Sequence, residues 1–444
     1  MWVLILIVIV ILAFKGMKQP WFGLLALLTV YVIQPGELYP ILGKLHLERM
    51  LGLLVIISFF AHGNKLRFPP QTKSFLMFFG AMVLAIPFAF WPGNSATACI
   101  AYFEIVVFHI LIVSLLTTEE RIKQFVTLMV ALNGWLAMTS LILYFNGVRE
   151  FHMNVERATG LTSSGGDANT LGISLVIMLP FEFLLMRTGN GKHLRLLGFA
   201  VFAGSALTIL ITGSRTSAMA LVFVLLMLIM QNKRNLRFIP LLVIALPIAW
   251  IALPQQYKAR YLTVENLKND DSYQNRVLSW EGGVQMFLHN PVTGIGSDNY
   301  AVANGSLYWP GPGPKHWLKA HSLYFQLLGE LGFLGVFTFS GYLIRVIGTN
   351  RRLMKKLPQF AFNPIVLQLP AYCNVCFLAL FFTGYSAHNL YRSTWSILGA
   401  LSGALTLLPR TGVAADNSLA VRKPLPAWIL ASEEGEEVPV LTVQ

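Results

Sequence analysis

Long apolar runs separated by short, mostly basic loops recur along the whole chain, and this restricts the fold more than any other feature. Thirteen runs can be marked: 1–14, 21–35, 51–63, 75–91, 98–117, 125–145, 168–186, 196–213, 216–230, 238–253, 323–347, 366–384 and 395–408. Hydrocarbon offers no partner for a backbone amide, so a segment that crosses it must satisfy its own hydrogen bonds as a helix of roughly 20 residues. Several runs fall short of that length. The 444 residues are 55% apolar and only 12% charged, against about 25% charged in a soluble domain. The expected fold is therefore an all-α polytopic membrane protein with about 12–13 transmembrane helices. Lys15 and Lys18 follow the first run, which has no basic residue ahead of it, so it reads as a retained helix and not a signal peptide.

A net charge of +13 invites a nucleic-acid reading, but the basic residues lie in the loops between runs and act as orientation charge. Odd-numbered loops carry 17 of them, among them Lys65, Arg121, Arg187, Lys233 and Arg351, whereas the short even-numbered loops carry six: Lys44, Arg49, Arg149, Arg157, Arg215 and Arg392. By the positive-inside rule the odd loops face the cytoplasm and the even loops face outward. Residues 1–408 then form one transmembrane domain that includes a large outward loop, 254–322. Residues 409–444 lose hydrophobic periodicity, contain Glu433-Glu434-Gly435-Glu436-Glu437, and read as a disordered cytoplasmic tail. Cys99, Cys373 and Cys376 are an odd set within or beside the runs, which argues against a disulfide framework.

The outward loops hold the polar chemistry. Asp167 caps the run that follows it, after Thr162-Ser163-Ser164-Gly165-Gly166. Gly213-Ser214-Arg215-Thr216-Ser217 is an abrupt hairpin between two runs. In the large loop Asp271-Ser272 opens a helix to about Leu288, whose Val277, Leu278, Trp280, Val284, Met286 and Phe287 suit a stripe lying on the membrane surface. Pro291 and the glycines of Thr293-Gly294-Ile295-Gly296 end it, and Tyr308-Trp309-Pro310-Gly311-Pro312-Gly313-Pro314 reads as irregular loop.

Arg215 opens a helix whose free N–H groups already favour an anion; with Ser214 and Thr216 beside it, this is either a phosphate cradle or an interfacial anchor. Arg276 on the loop helix meets either substrate or lipid headgroups. His321, at the membrane boundary, is either a general base or an interfacial hydrogen-bonding group. Glu104, Glu182, Glu330 and Arg345 fall within runs, where charge is costly, although Glu182 and Arg345 lie near run ends and can snorkel. The outward carboxylates Asp167, Asp270, Asp271, Glu281 and Asp298 form no Asp-x-Asp pair, which argues against a metal-dependent transferase.

Taken together, Thr212–Ser217, Asn275–Trp280 continuing to His289–Gly296, and His321-Ser322-Leu323 continuing to Gly329-Glu330-Leu331-Gly332 resemble the O-antigen ligase and O-antigen polymerase superfamily. Gly160–Asn169 is similar to that family's upstream outer-loop signature, and Val32–Met50 to ligases associated with exosortase systems. Many relatives have Asn where this chain has Ser322. The resemblance implies a GT-C-type glycosyltransferase of the bacterial inner membrane, free of metal and cofactor. It would transfer a glycan from undecaprenyl-pyrophosphate to lipid A-core oligosaccharide at the periplasmic face, with inversion. On this reading Arg215 and Arg276 hold the diphosphate and His321 is the base, with Ser214, Thr216, Arg157, Asn169 and Lys319 also binding substrate. The alternatives are an O-antigen polymerase, a protein O-oligosaccharyltransferase and, in a different class, a lipid-linked-sugar transporter. A transporter would be expected to show repeated halves and mid-bilayer polarity.

Overall fold

The computed structural model describes residues 2–152, 155–162, 166–231, 233–262, 271–311 and 315–408. The tail 409–444, Ser163–Gly165, Asp270 and Pro312–Pro314 lie outside the described residues. All thirteen apolar runs are helical. In chain order the helices are α1 (Trp2–Lys18), α2 (Pro20–Ile33), α3 (Pro35–Leu38), α4 (Pro40–Lys44), α5 (Leu47–Ala61), α6 (Pro70–Ala85), α7 (Pro92–Leu115), α8 (Glu119–Phe145), α9 (Ala168–Thr188), α10 (Lys192–Ile211), α11 (Arg215–Met230) and α12 (Ile239–Ala252). They continue with α13 (Gln255–Leu262), α14 (Asp271–His289), α15 (Tyr300–Ala303), α16 (Leu323–Lys356), α17 (Pro364–Thr383) and α18 (Ser393–Leu407). A short antiparallel ribbon, β1 (Glu150–His152) and β2 (Val155–Arg157), pairs Glu150 with Arg157 before α9.

The protein is an all-α polytopic membrane protein. Among the described residues, seven helical segments are long and apolar enough to cross a membrane, while α2 and α11 are apolar but shorter. Start signals in the sequence set many of the boundaries. Pro opens α2, α6, α7 and α17, where its missing N–H is no loss. The side chains of Thr118, Asp167, Ser214 and Asn363 cap α8, α9, α11 and α17. Helix α9 is buried along most of its length, packed by α8, α10, α11 and α17.

Helix α16 is broken. Gly332 takes φ 55° and ψ −153° in its interior, and the Pro291–Gly296 turn enters the break. Phe333 and Leu334 donate to the carbonyls of Pro291 and Val292 (2.8 and 3.0 Å), and Ile295 and Gly296 donate to those of Gly329 and Glu330 (both 2.9 Å). A Cβ on Gly294 would lie 2.4 Å from the Glu330 carbonyl carbon, so two of the sequence motifs recognise each other through backbone.

The large loop corrects one expectation. The stripe on α14 does not lie on a membrane surface: Met286 is fully buried, Trp280 stacks on Phe325 (5.3 Å), and Phe287 meets Phe333 edge-on (4.9 Å). Val284 and Leu288 alone of that face stay exposed. A second correction concerns Glu182, which does not snorkel: it is buried between Asn133 Nδ2 (2.5 Å) and Ser205 Oγ (3.0 Å). Arg345 is exposed, and Glu104 pairs with Arg49 at 2.9 Å.

Candidate functional site

Four helix N-termini, those of α9, α11, α16 and α18, meet at one end of the bundle. Asp167 Oδ1 caps α9, accepting from the amides of Asn169 (2.9 Å) and Thr170 (3.1 Å). Gly213, at φ 59°, turns the chain out of α10. Ser214 Oγ then caps α11 through Ser217 N (3.4 Å) and Ser217 Oγ (3.0 Å), leaving Arg215 as the first helical residue. Thr216 Oγ1 bonds Ser386 Oγ in the loop between α17 and α18, and in the same loop the Gly384 carbonyl accepts from Leu323 N (2.7 Å) at the start of α16. Arg392, the residue preceding α18, donates from Nη1 to Ser174 Oγ on α9 (3.1 Å). The four positive dipole ends are thus tied together by hydrogen bonds, and they favour negative charge at this place.

His321 sits in the middle of this region with φ 44°, a conformation that non-glycine residues rarely adopt and that the surroundings must impose. The bonds that impose it are identifiable. On the preceding segment, Ser279 Oγ donates to the Lys319 carbonyl and Trp280 Nε1 to the Ala320 carbonyl, both at 3.0 Å. Helix α14 therefore sets the backbone that aims His321. The imidazole meets that of His388 edge-on, with centroids 5.2 Å apart.

Electrostatics agree with the geometry. Burial lowers the His321 pKa to about 4, helped by the charges of Arg276 and Lys319 and opposed by Asp167. Burial, His321, Lys319 and Arg392 lower His388 to about 3. Both rings are therefore neutral at pH 7, each with a lone pair available. Arg392 is pulled down to about 10, chiefly by burial, and remains cationic. Beside the pair lies a cavity of about 240 Å³ lined by Lys319, His388, Arg392, Tyr391, Glu330 and Asp298, among others. The Glu330 carboxylate accepts from Tyr391 Oη (2.6 Å) and from Tyr300 N (3.3 Å) at its wall.

The residues singled out from sequence fall in two groups. His321, Arg276 and Lys319 interact electrostatically, and Arg215 stands one residue from the Thr216–Ser386 bond that leads to His388. The remainder brace the frame. Ser214 is 1% exposed with its hydroxyl engaged in the cap. Arg157, 3% exposed, donates to the Thr212 carbonyl (2.7 Å) and to Asn169 Oδ1 (2.8 Å), clamping β2 to the ends of α10 and α9. Sequence reasoning passed over His388, Tyr391 and Arg392. Their one signal was the polar run Ser386–Arg392 between two apolar segments, which has no spacing that names a chemistry.

Residues 200–340 match the family model described as O-antigen ligase, and the resemblance to that superfamily rests on this segment. No curated protein matches the chain. The matched segment contains Arg215, Arg276 and His321; His388 and Arg392 lie beyond it.

Proposed function

From an O-antigen ligase segment that holds two arginines and a histidine, we propose that the protein transfers a glycan from undecaprenyl-pyrophosphate to lipid A-core oligosaccharide at the periplasmic face of the inner membrane. The observation that carries this reading is a neutral imidazole, His321, held among cations where four helix N-termini converge. Cations beside positive dipole ends, partly removed from water, are unfavourable alone and become favourable when a polyanion is shared among them.

The chemistry follows from that arrangement. The bond between the anomeric carbon and the diphosphate breaks, and its electron pair stays on the phosphate oxygen. Arg215 and Arg276 take up the charge that develops there, the task a divalent cation performs in other transferases. The acceptor hydroxyl oxygen attacks from the opposite face and forms the new glycosidic bond with inversion, while its proton passes to His321. Donor binding also prepares the base: two or more negative charges offset Arg276 and Lys319, which lifts the imidazole from about 4 toward the working pH. Arg157, Asn169, Ser214 and Thr216 hold the helix ends in register, and Lys319 adds to the positive field.

The test is reconstitution of purified protein with carrier-linked donor and lipid A-core, with EDTA and without an ion gradient. A covalent glycolipid product supports a metal-independent transferase. Product on a carrier-linked glycan in place of lipid A-core would make the enzyme a polymerase, and transport without product would refute the reading.

A further inference from the structure

A half-open cavity of about 470 Å³ lies at the end of the bundle remote from the histidine pair. Its walls come from the start of α6, the last turns of α16, the segment leading to α17, and the end of α18. The 15 residues of α18 alone put about 22 Å between this place and Arg392. Leu353, Leu357, Phe360, Phe362 and Leu408 make much of the lining apolar, and no acidic side chain lines it. Two cations do. Arg352 is held on its own helix, where Nε donates to the Gly348 carbonyl and Nη2 to Thr349 Oγ1 (both 3.3 Å). Lys356 has no partner among the described residues. The more telling residue is Gln71, the second of α6. It is 1% exposed, and neither its Nε2 nor its Oε1 has a hydrogen-bond partner among the described residues. A buried amide left in that state is costly, and a ligand that offers both an acceptor and a donor relieves it. Helix α6 also begins after Pro69 with no side-chain cap, so the free N–H groups of its first turn favour an anion. Lys356 by itself would be an ordinary charge at a helix end; the orphaned amide in the same cavity is a separate observation that points to a ligand.

We propose that this cavity binds the headgroup of phosphatidylglycerol, with an acyl chain against its apolar wall. The phosphate lies between Lys356 and the start of α6 and accepts from Gln71 Nε2, while a glycerol hydroxyl donates to Gln71 Oε1. A choline or ethanolamine headgroup would instead set a second positive charge against Lys356. The apolar lining argues for a lipid over a soluble glycerol phosphate, and so does the position where α16 and α18 end. On the loop-charge reading this end faces the cytoplasm, the side on which anionic lipids attract basic groups. The proposal does not depend on the transferase reading. It gives the end remote from that chemistry a task of its own, seating the bundle in an anionic membrane.

Native mass spectrometry of the full-length protein, released from bilayers of mixed phosphatidylglycerol and phosphatidylethanolamine, tests the proposal. One tightly held phosphatidylglycerol is expected. Lys356→Gln should cut its retention about tenfold, the loss of one charge-assisted contact, with partial recovery in Lys356→Arg. His321→Ala, at the other end, should retain it as the wild type does. Gln71→Leu should lower retention as well, yet leave the lipid-free protein no less stable, because it removes an unpaired buried amide. A thermal readout stands beside this one: added phosphatidylglycerol should raise the Tm of the wild type and not that of Gln71→Leu. Undiminished retention in both Lys356→Gln and Gln71→Leu, equal retention of phosphatidylethanolamine, or an equal Tm gain from soluble glycerol phosphate would overturn the proposal. So would carbodiimide coupling of Lys356 to the Glu433–Glu437 run in phosphatidylglycerol bilayers, which would give the cavity to the chain's own acidic segment beyond Leu408.

Discussion

Lys15 and Lys18 on α1, Arg187 on α9 and Lys355 and Lys356 on α16 all occupy last turns of helices, and Glu119 and Glu120 occupy the first turn of α8. Each of these charges complements the dipole beside it, and Arg187, Lys355 and Lys356 are exposed. At the opposite end Arg215 and Arg392 stand at the starts of α11 and α18, where the dipole repels a cation, and both are partly withdrawn from water. The first end keeps its charges in water, including Lys192, which opens α10 against the dipole but is exposed. The other holds positive charge against its local preference, as expected of a place that waits for an anion.

Substitution should separate the two ends most sharply. Removing Arg215, Arg276 or His321 by alanine should lower transfer by about 10²–10³-fold, the usual loss when a group that stabilises developing charge or takes the proton is deleted. Arg351→Ala and Arg352→Ala should leave initial rates in the same assay within about twofold, since exposed charges of this kind contribute little. Similar losses at both ends would break the distinction.

Next in size is the pH response. Because burial, aided by Arg276 and Lys319, holds His321 down in the free protein and a bound diphosphate offsets the two cations, kcat/KM should inflect well below pH 6.5 and kcat at a higher pH. Lys319→Ala should move the kcat/KM inflection upward, because it removes a cation that opposes protonation. An unchanged inflection would detach Lys319 from the site.

Stability should carry a smaller mark of the same asymmetry. His321 and His388 have pKa values lowered from the ordinary 6.5 to about 4 and about 3, so the unfolded chain binds more protons between those limits. Their contribution is complete above pH 6.5 and is lost as pH falls through about 4 for His321 and about 3 for His388. Thermal unfolding should show Tm dropping over that range, with a flatter profile for His321→Ala/His388→Ala. Smallest of all, Asp167→Ala should cost about 1 kcal/mol through its lost cap.

Much of this was legible one segment at a time. The thirteen helices, the Asp167 cap, the sharp turn at Gly213 and the helix start at Arg215 each depend on neighbours within a few residues. The stripe on α14 shows where that reading fails: Trp280 and Met286 look like lipid-facing residues until α16 supplies the apolar surface they cover. Glu182 likewise reads as a residue near a helix end until Asn133 and Ser205 close around it. His388 went unnoticed and Arg392 counted only as loop charge for a related reason, since neither carries a spacing and each gains meaning only from a partner elsewhere in the chain.

Apolar periodicity, loop charge and capping residues determined that this chain would be a bundle of membrane helices with polar chemistry at one end, because a backbone in hydrocarbon has no other way to satisfy its hydrogen bonds. Tertiary structure decided which helix ends would meet there, and it did so through contacts between residues far apart in the chain: the Pro291–Gly296 turn in the break of α16, Trp280 on the Ala320 carbonyl, and Thr216 on Ser386. Such contacts follow from the shapes of surfaces that do not exist until the helices pack.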